Sequence, residues 1–242
     1  MRYLIGIDDT DNLESPGTGH HARQLADFLA QKQLAQPRGI TRHQLLVVPE
    51  IPYTSHNSSA CLNVEADPQN EAEIWAACCD FLLAESAPGS DAGLCLAKWE
   101  MVCPQICAFG VRAKQVVLTQ LEAEQTALDD EIRLQGLTGT HGGIIGALAA
   151  VGLHRAGNDG RFLWLPGLRE LSGRLPVAEI CMRGQIDCVR PLVGLNLPSE
   201  TLVELGGWVR PILRSGQAVL YVEELNNEWH ILPKERIKSL SD

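Results

Sequence analysis

The alternation of hydrophobic and polar positions divides the first hundred residues into four strands and two helices. Apolar or alternating runs predict strands at 2–7, 44–51, 60–66 and 94–99. Apolar residues at helical spacing predict helices at 22–34 and 71–85. The order β-α-β-β-α-β is that of a ferredoxin-like sandwich, so we predict an α+β fold with a ferredoxin-like βαββαβ N-terminal half.

The pattern changes twice after this half. Residues 101–174 predict a second α/β segment, with strands at 115–120 and 161–166 and helices at 122–135 and 143–154. After about residue 175 the helical signal fades, and short strands are predicted at 177–182, 209–213, 218–224 and 228–233. We therefore predict three domains: residues 1–100, residues 101–174, and a small β-rich C-terminal unit at residues 175–242.

Composition and charge limit the classes of partner. The chain has 242 residues and a formal net charge of -10, and residues 1–100 hold 14 acidic side chains against 6 basic ones. Nucleic-acid binding normally needs a basic surface, so nucleic acid is predicted not to be a partner. No apolar run reaches about 18 residues, and acidic residues appear by position 8. We therefore expect a cytoplasmic protein without a membrane span or signal peptide.

The eight cysteines form no Cys-x-x-Cys pair. Zinc modules usually need two closely spaced pairs, so this spacing gives little indication of a zinc site. The interpretation that we prefer is buried free thiols in a reducing compartment.

The stretch "GIDDTDNLESPGTGHH" (6–21) carries the main candidate chemistry, because its acidic loop directly follows a predicted buried strand. Asp8, Asp9 and Asp11 would repel one another unless a cation or solvent intervened. Magnesium accepts one or two carboxylates together with phosphate oxygens. Gly17, Thr18 and Gly19 lie at the predicted helix start, where backbone N–H groups favour an anion. The loop is therefore predicted to hold a nucleotide triphosphate clamped by Mg²⁺.

Structural interpretations compete with this one. Aspartate and asparagine also cap helices and stabilise turns, and Thr18 is a suitable N-cap. The polar run at 54–59 includes the pocket candidates His56, Asn57 and Ser58, but it also fits a hairpin loop. The glycine-rich "TGTHGGIIGALAAVG" (138–152) lacks both common phosphate-loop spacings, and close helix packing explains its small residues.

Three motifs in this order resemble the agmatinylcytidine synthetases that modify an isoleucine tRNA: "GIDDTD", "PEIPY" and "GIIGALAAVG". That family combines an unusual kinase-like catalytic domain with a ferredoxin-like domain. The resemblance covers residues 1 to about 165. It implies an ATP- and Mg²⁺-dependent domain in which Asp8, Asp9 and Asp11 serve the metal and the phosphates. It also places Thr18 near the threonines that follow the acidic loop in the family.

The chain departs from the family pattern at several positions. It has Gly17-Thr18-Gly19 where the family has Cys-Thr-Thr, and Thr54 and His56 where the family has Lys and Arg. The family also carries an OB module and a zinc ribbon, whereas about 75 residues follow the matched region here and show no zinc spacing. These differences predict a relative that keeps nucleotide binding and does not act on tRNA.

The leading hypothesis is an ATP- and Mg²⁺-dependent transferase or ligase that moves a phosphoryl or nucleotidyl group to a small molecule. In it, Asp8, Asp9 and Asp11 hold the metal, and His56 is the candidate for proton transfer near neutral pH. One alternative is a metal-dependent hydrolase that adds His20 or His21 to the aspartates. Another is a non-catalytic, nucleotide-binding relative that lacks the two basic residues.

Overall fold

The N-terminal apolar run forms the central strand of an antiparallel sheet in the computed structural model, which describes residues 1–51, 57–128 and 132–242. The strands of this sheet are β1 (Arg2–Asp8), β2 (Gln36–Gln44), β3 (Ser58–Glu65), β4 (Gly93–Lys98) and β5 (Arg133–Gly136). Their spatial order is β5-β4-β1-β3-β2, and each neighbouring pair is antiparallel. Strands β1 to β4 thus have the predicted ferredoxin-like order, and β5 extends the sheet beyond β4.

Helices cover both faces of this sheet. They are α1 (Thr18–Gln31), α2 (Glu71–Glu85), α3 (Pro104–Arg112), α4 (Gln120–Leu128) and α5 (Ile144–Ala156). On one face Tyr3 of β1 donates a hydrogen bond to Glu71 of α2 over 3.1 Å. On the other face Leu4 joins a buried cluster with residues of α3 and α5. Because successive strand residues face opposite sides, the apolar, buried residues 3–7 of β1 serve both layers.

Helix α5 approaches the sheet unusually closely. A Cβ atom added at Gly6 of β1 would overlap the carbonyl oxygen of Ala147. Gly6 therefore allows the helix backbone to rest directly on the strand, as small residues permit. The structure confirms the predicted α5, and close packing accounts for several of its small residues.

Two strands predicted in this part of the chain are wrong. The predicted strand at 44–51 is replaced by the more polar β2, whose Thr41 and His43 are buried and hydrogen-bonded to each other. Satisfied polar groups can occupy a buried strand, so apolar content alone misplaced it. The predicted strand at 115–120 is irregular up to the start of α4, with Val116 and Val117 about half exposed. The predicted helix at 122–135 ends at Leu128.

A second set of elements begins after residue 156. Its strands are β6 (Arg161–Trp164), β7 (Gly173–Pro176), β8 (Cys188–Pro191), β9 (Leu202–Leu205), β10 (Ile212–Arg214), β11 (Gln217–Leu225) and β12 (Glu228–Ile231). Strand β11 pairs antiparallel with β10 and β12 and parallel with β8. The strand predicted at 177–182 is wrong, because these residues begin α6 (Val177–Gly184), which buries Val177 and Ile180 at helical spacing. The periodicity also does not predict the last helix, α7 (Lys234–Ser241).

The chain divides into two compact units, Met1–Ala156 and Gly157–Asp242. Within the first unit, α3 and α5 pack on the sheet and share one apolar cluster with it. The division into three domains at residues 1–100, 101–174 and 175–242 stays a prediction. The α+β fold class is confirmed. No helix among the described residues combines the length and the hydropathy needed to cross a bilayer.

Candidate functional site

The acidic loop after β1 opens into a pocket of the first unit, with a cavity volume of about 220 Å³. The end of β1, the residues before β4 and the residues that lead into α5 meet there with the segments after β2, at the start of β3 and after α3. The described lining residues are Asp8, Asp9, Asp11, Leu45, Glu50, Ile51, Asn57, Ser58, Asp91, Ala113, Val116, Val117, Leu118, Thr140, Gly142, Gly143, Ile145 and Gly146.

The pocket lining is rich in carboxylates. Asp8, Asp9 and Asp11 come from the loop after β1, and Asp91 comes from the residues before β4. The described lining residues include no lysine or arginine, and the nearby charge of Arg42 only partly offsets the rise in the pKa of Asp8. Asp8 stands directly against α5, because a Cβ atom added at Gly146 would overlap the Asp8 carboxylate. The Asp8 carboxylate therefore packs against the first turn of α5.

Burial and repulsion between carboxylates raise the pKa of two of these groups, Asp8 and Asp9. Burial and then the neighbouring charges of Asp91 and Asp11 raise the pKa of Asp9 to about 6. Burial and then the charge of Asp9 raise the pKa of Asp8 well above its usual value. The backbone of Asp9 has φ 55°, a left-handed conformation that is uncommon for a residue with a side chain. Electrostatic and backbone strain thus coincide at the tip of β1.

The predicted Gly17-Thr18-Gly19 segment lies outside the described pocket lining. Gly17 is the N-cap of α1, and Thr18 is 6% exposed. The Thr18 hydroxyl donates a hydrogen bond of 2.8 Å to Asp11 Oδ1, so it supports the acidic loop. A phosphate contact by Gly17, Thr18 or Gly19 stays a prediction.

The polar run before β3 contributes two of its three predicted residues to the lining. Asn57 and Ser58 both face the pocket, and Asn57 Nδ2 donates to the carbonyl oxygen of Leu46 over 2.6 Å. This bond ties the start of β3 to the segment after β2. The predicted proton-transfer residue His56 lies outside the described residues.

Sequence reasoning misses the other wall of the site. Asp91 bonds to the turn before α5 twice: its carboxylate accepts from the Thr140 N–H, and its carbonyl oxygen accepts from the Gly143 N–H over 2.9 Å. The sequence pattern places Asp91 in an ordinary loop and explains the glycines by helix packing. The glycine-rich turn is a usable signal, whereas nothing local indicates that Asp91 meets Asp8.

The pocket lining also contains apolar side chains from three separate segments: Leu45, Ile51, Ala113, Val116, Val117, Leu118 and Ile145. A pocket lined by both carboxylates and apolar side chains suits a ligand that has one strongly polar and one flat or apolar part.

Neither His20 nor His21 belongs to the described lining of the pocket. His21 is 4% exposed and its Nδ1 atom lies 2.8 Å from Thr10 Oγ1. Within the described ranges, no group of three or more His, Cys, Asp or Glu side chains is arranged to hold a metal ion. The hydrolase alternative therefore lacks the histidine that it would need at the aspartates.

Comparison with known proteins gives structural relatives only. No family model matches the chain, and no curated protein matches it either. A solved tRNA fluorescent labeling enzyme is 26% identical with a TM-score of 0.54. The complex of TiaS with its isoleucine tRNA and ATP is 25% identical with a TM-score of 0.55, and TiaS is described as a tRNA agmatidine synthetase. Each match covers 63% of this chain and 36% of the relative.

A third solved structure, the complex of TiaS with the same tRNA, AMPCPP and agmatine, is 24% identical with a TM-score of 0.54 and the same coverage. The family resemblance predicted from the three motifs is thereby confirmed at the level of structure. The chain is structurally related to an ATP-using, tRNA-modifying enzyme and spans about a third of its length. The prediction that nucleic acid is not a partner is wrong, because the structural relatives were solved in complex with tRNA. Net charge describes a whole chain, whereas nucleic acid contacts a local surface.

Proposed function

We propose that the pocket of the first unit binds ATP together with Mg²⁺ and transfers a phosphoryl or nucleotidyl group from it to an acceptor. The proposal rests on one observation: four aspartates, the glycine-rich start of α5 and several apolar side chains line the same pocket. The structural relationship to an enzyme solved with ATP supports the same assignment.

The donor chemistry of the pocket fits magnesium. The aspartates of the lining offer hard carboxylate oxygens, and neither sulfur nor imidazole occurs among the described lining residues. Mg²⁺ typically takes one or two carboxylates and completes its shell with water and substrate phosphates. A ready-made protein ligand set is therefore not required. Repulsion that raises the pKa of Asp9 would be relieved by a divalent cation.

Different parts of the pocket would hold different parts of the nucleotide. Asp8, Asp9 and Asp11 would hold the metal, with Asp91 as a further candidate. Bound Mg²⁺ would neutralise charge on the transferring phosphate. The partial positive charge at the N-terminal end of α5 suits a phosphate anion, and the Gly143 N–H there is already donated to Asp91. The apolar side chains of the lining would take the nucleobase, and Asn57 and Ser58 would offer neutral polar contacts.

We consider two acceptors, tRNA and agmatine, because both are present in a solved complex of the structural relative. A cationic amine such as agmatine complements the excess of carboxylates in the described lining. His56 remains our candidate for proton transfer from the acceptor, by its residue type.

Calorimetric titration of ATP with and without Mg²⁺ tests the binding step. We expect metal-dependent binding in the wild type and an affinity weaker by about tenfold or more in Asp8→Asn and Asp11→Asn, since each loses a charged metal ligand. Asp27→Asn removes the same charge from an exposed position of α1 and should bind as the wild type does. Absence of binding, or binding that ignores Mg²⁺, would contradict the proposal.

A turnover assay then separates an enzyme from a binding protein. ATP and Mg²⁺ are incubated with the protein and with agmatine, tRNA or both. Release of ADP indicates phosphoryl transfer, and release of AMP with pyrophosphate indicates nucleotidyl transfer followed by displacement. Binding without either product from any acceptor would favour the non-catalytic alternative.

A further inference from the structure

Four polar side chains form a continuous chain of hydrogen bonds that ends on the Asp11 carboxylate. Thr18 Oγ1 lies 2.8 Å from Asp11 Oδ1, Thr10 Oγ1 lies 3.1 Å from Thr18 Oγ1, and His21 Nδ1 lies 2.8 Å from Thr10 Oγ1. Thr10, Thr18 and His21 are 0%, 6% and 4% exposed. Because water has little access to these three side chains, they must satisfy one another.

The chain has only one consistent direction. An ionised Asp11 has no hydrogen to give, so the Thr18 hydroxyl donates to it. The Thr18 oxygen can then only accept from Thr10, and it does so from the hydroxyl at 3.1 Å and from the backbone N–H at 3.4 Å. With its single hydrogen directed at Thr18, the Thr10 oxygen must accept from His21. His21 therefore carries a hydrogen on Nδ1.

The opposite tautomer would break this chain. If His21 Nδ1 lacked a hydrogen, the Thr10 hydroxyl would donate to it. The Thr10 and Thr18 oxygens would then face each other at 3.1 Å without a hydrogen between them. Two lone pairs at that distance repel in a site that water does not reach.

We propose that His21 is a positioning residue for the nucleotide pocket, which orients the Asp11 carboxylate through Thr10 and Thr18. This inference rests on the proposed function, since orienting Asp11 matters for catalysis only if Asp11 serves the metal. His21 sits one turn into α1, while Asp11 precedes that helix. The chain therefore fixes one oxygen of a loop carboxylate to a rigid buried element, as outer ligands do around metal sites.

The tautomer of His21 is the first test and needs no ligand. Nitrogen-15 NMR of the wild-type protein with labelled histidine distinguishes a hydrogen on Nδ1 from one on Nε2. A neutral His21 with its hydrogen on Nδ1 supports the chain. A hydrogen on Nε2 alone overturns it, whatever the protein binds.

Two replacements at His21 test the effect on the pocket. His21→Leu keeps an apolar side chain of similar size without a donor, and His21→Asn keeps an N–H donor near the position of Nδ1. Calorimetric titration of ATP in Mg²⁺ should show an affinity about tenfold weaker for His21→Leu, which is the usual cost of losing an outer hydrogen-bond partner of a metal ligand. The affinity of His21→Asn should return towards that of the wild type. His20→Leu, beside it but outside the chain, is the matched control and should bind as the wild type does.

The outcomes separate the inference from the proposed function. Wild-type affinity in a folded His21→Leu overturns the positioning role, and so does a His21→Asn as weak as His21→Leu with an unchanged melting temperature. Should His21→Leu fail to fold, the tautomer and the His21→Asn affinity still decide. Absence of ATP binding in the wild type overturns the proposed function, whereas the tautomer still decides the direction of the chain.

Discussion

Asp9 and Gly146 show how single residues at the pocket trade stability for chemistry. Asp9 combines a left-handed backbone with a carboxyl pKa of about 6. Gly146 leaves room for the Asp8 carboxylate beside α5, a position that any side chain would block. Neither feature improves packing or charge balance in the free protein. Both are typical of residues that are kept for a ligand.

Replacing Asp9 by Asn should stabilise the free protein at pH 7–8. The pKa of Asp9 rises from 3.8 to about 6 on folding, so its stabilising contribution is present below pH 3.8 and is lost as the pH rises through about 6. Asn removes the repelled charge and, like Asp, is tolerated in a left-handed backbone. We expect a gain of roughly 1 kcal/mol after solvent screening, measured by thermal melting. At pH 4 the gain should nearly vanish; an equal gain at both pH values would contradict this origin.

Gly146→Ala should weaken ATP binding in Mg²⁺ by more than about tenfold, because the new methyl group would displace the Asp8 carboxylate. Calorimetry measures the affinity, and circular dichroism checks the fold. Gly207→Ala is the control, since Gly207 lies outside the described lining of this pocket and its Cβ would meet no atom within 4 Å. An unchanged affinity in Gly146→Ala would show that Asp8 is not needed where the structure has it.

Among the elements, α5 organises the first unit. Its N-terminal end meets the acidic loop, its middle rests on Gly6 of β1, and its last turn carries His154 against β2. There the Thr41 hydroxyl bonds to His154 Nδ1 and to His43 Nε2, each over 2.8 Å. The same hydroxyl also lies 3.5 Å from the carbonyl oxygen of Cys61, so its single hydrogen has three possible acceptors. Burial of His154 in this seam between helix and sheet favours its uncharged form.

The seam should weaken in acid. Burial, and next the nearby His43, lower the pKa of His154 well below 6.5, so its stabilising contribution is present above pH 6.5 and is lost as the pH falls. The loss is at most about 1.4 kcal/mol per pH unit. Chemical denaturation compares the free energy of unfolding of the wild type with that of His154→Asn. The contribution of titrating carboxylates to the pH dependence is the same in both proteins and cancels in the difference. The variant should gain on the wild type between pH 6.5 and 5; a constant difference would contradict a neutral buried His154.

Across the whole molecule, the described pocket belongs to one unit. Each described lining residue falls within Met1–Ala156, and the second unit, Gly157–Asp242, has its own apolar clusters. The structural relatives cover 63% of the chain, a share close to that of the first unit. Every described lining residue of the pocket thus comes from the first unit.

A fragment of residues 1–156 should keep the ATP affinity of the full chain within about threefold, since it retains the described lining of the pocket. Calorimetry compares the two proteins in Mg²⁺ after circular dichroism has shown that the fragment is folded. A folded fragment that binds no ATP would show that the second unit contributes to the site.

Features that depend on neighbours along the chain can be predicted from the order of residues alone. The apolar run of β1, the acidic loop behind it, the whole of α2 and the order of the first six elements follow from periodicity within short windows. Three of the four aspartates in the pocket are found for the same reason, since they share one loop. Periodicity fails at β2 and α6, where tertiary partners satisfy polar groups or bury one face of a short helix.

Contacts between distant segments depend on how the chain folds. Asp91 and the turn at Gly143 reach Asp8 because β4 pairs with β1 and α5 lies across both strands. Likewise, the direction of the hydrogen bonds from His21 to Asp11 follows from burial and from three distances between atoms. The order of residues along the chain shows which side chains could take part in a site. Chain topology and the exclusion of water determine which of them act on one another.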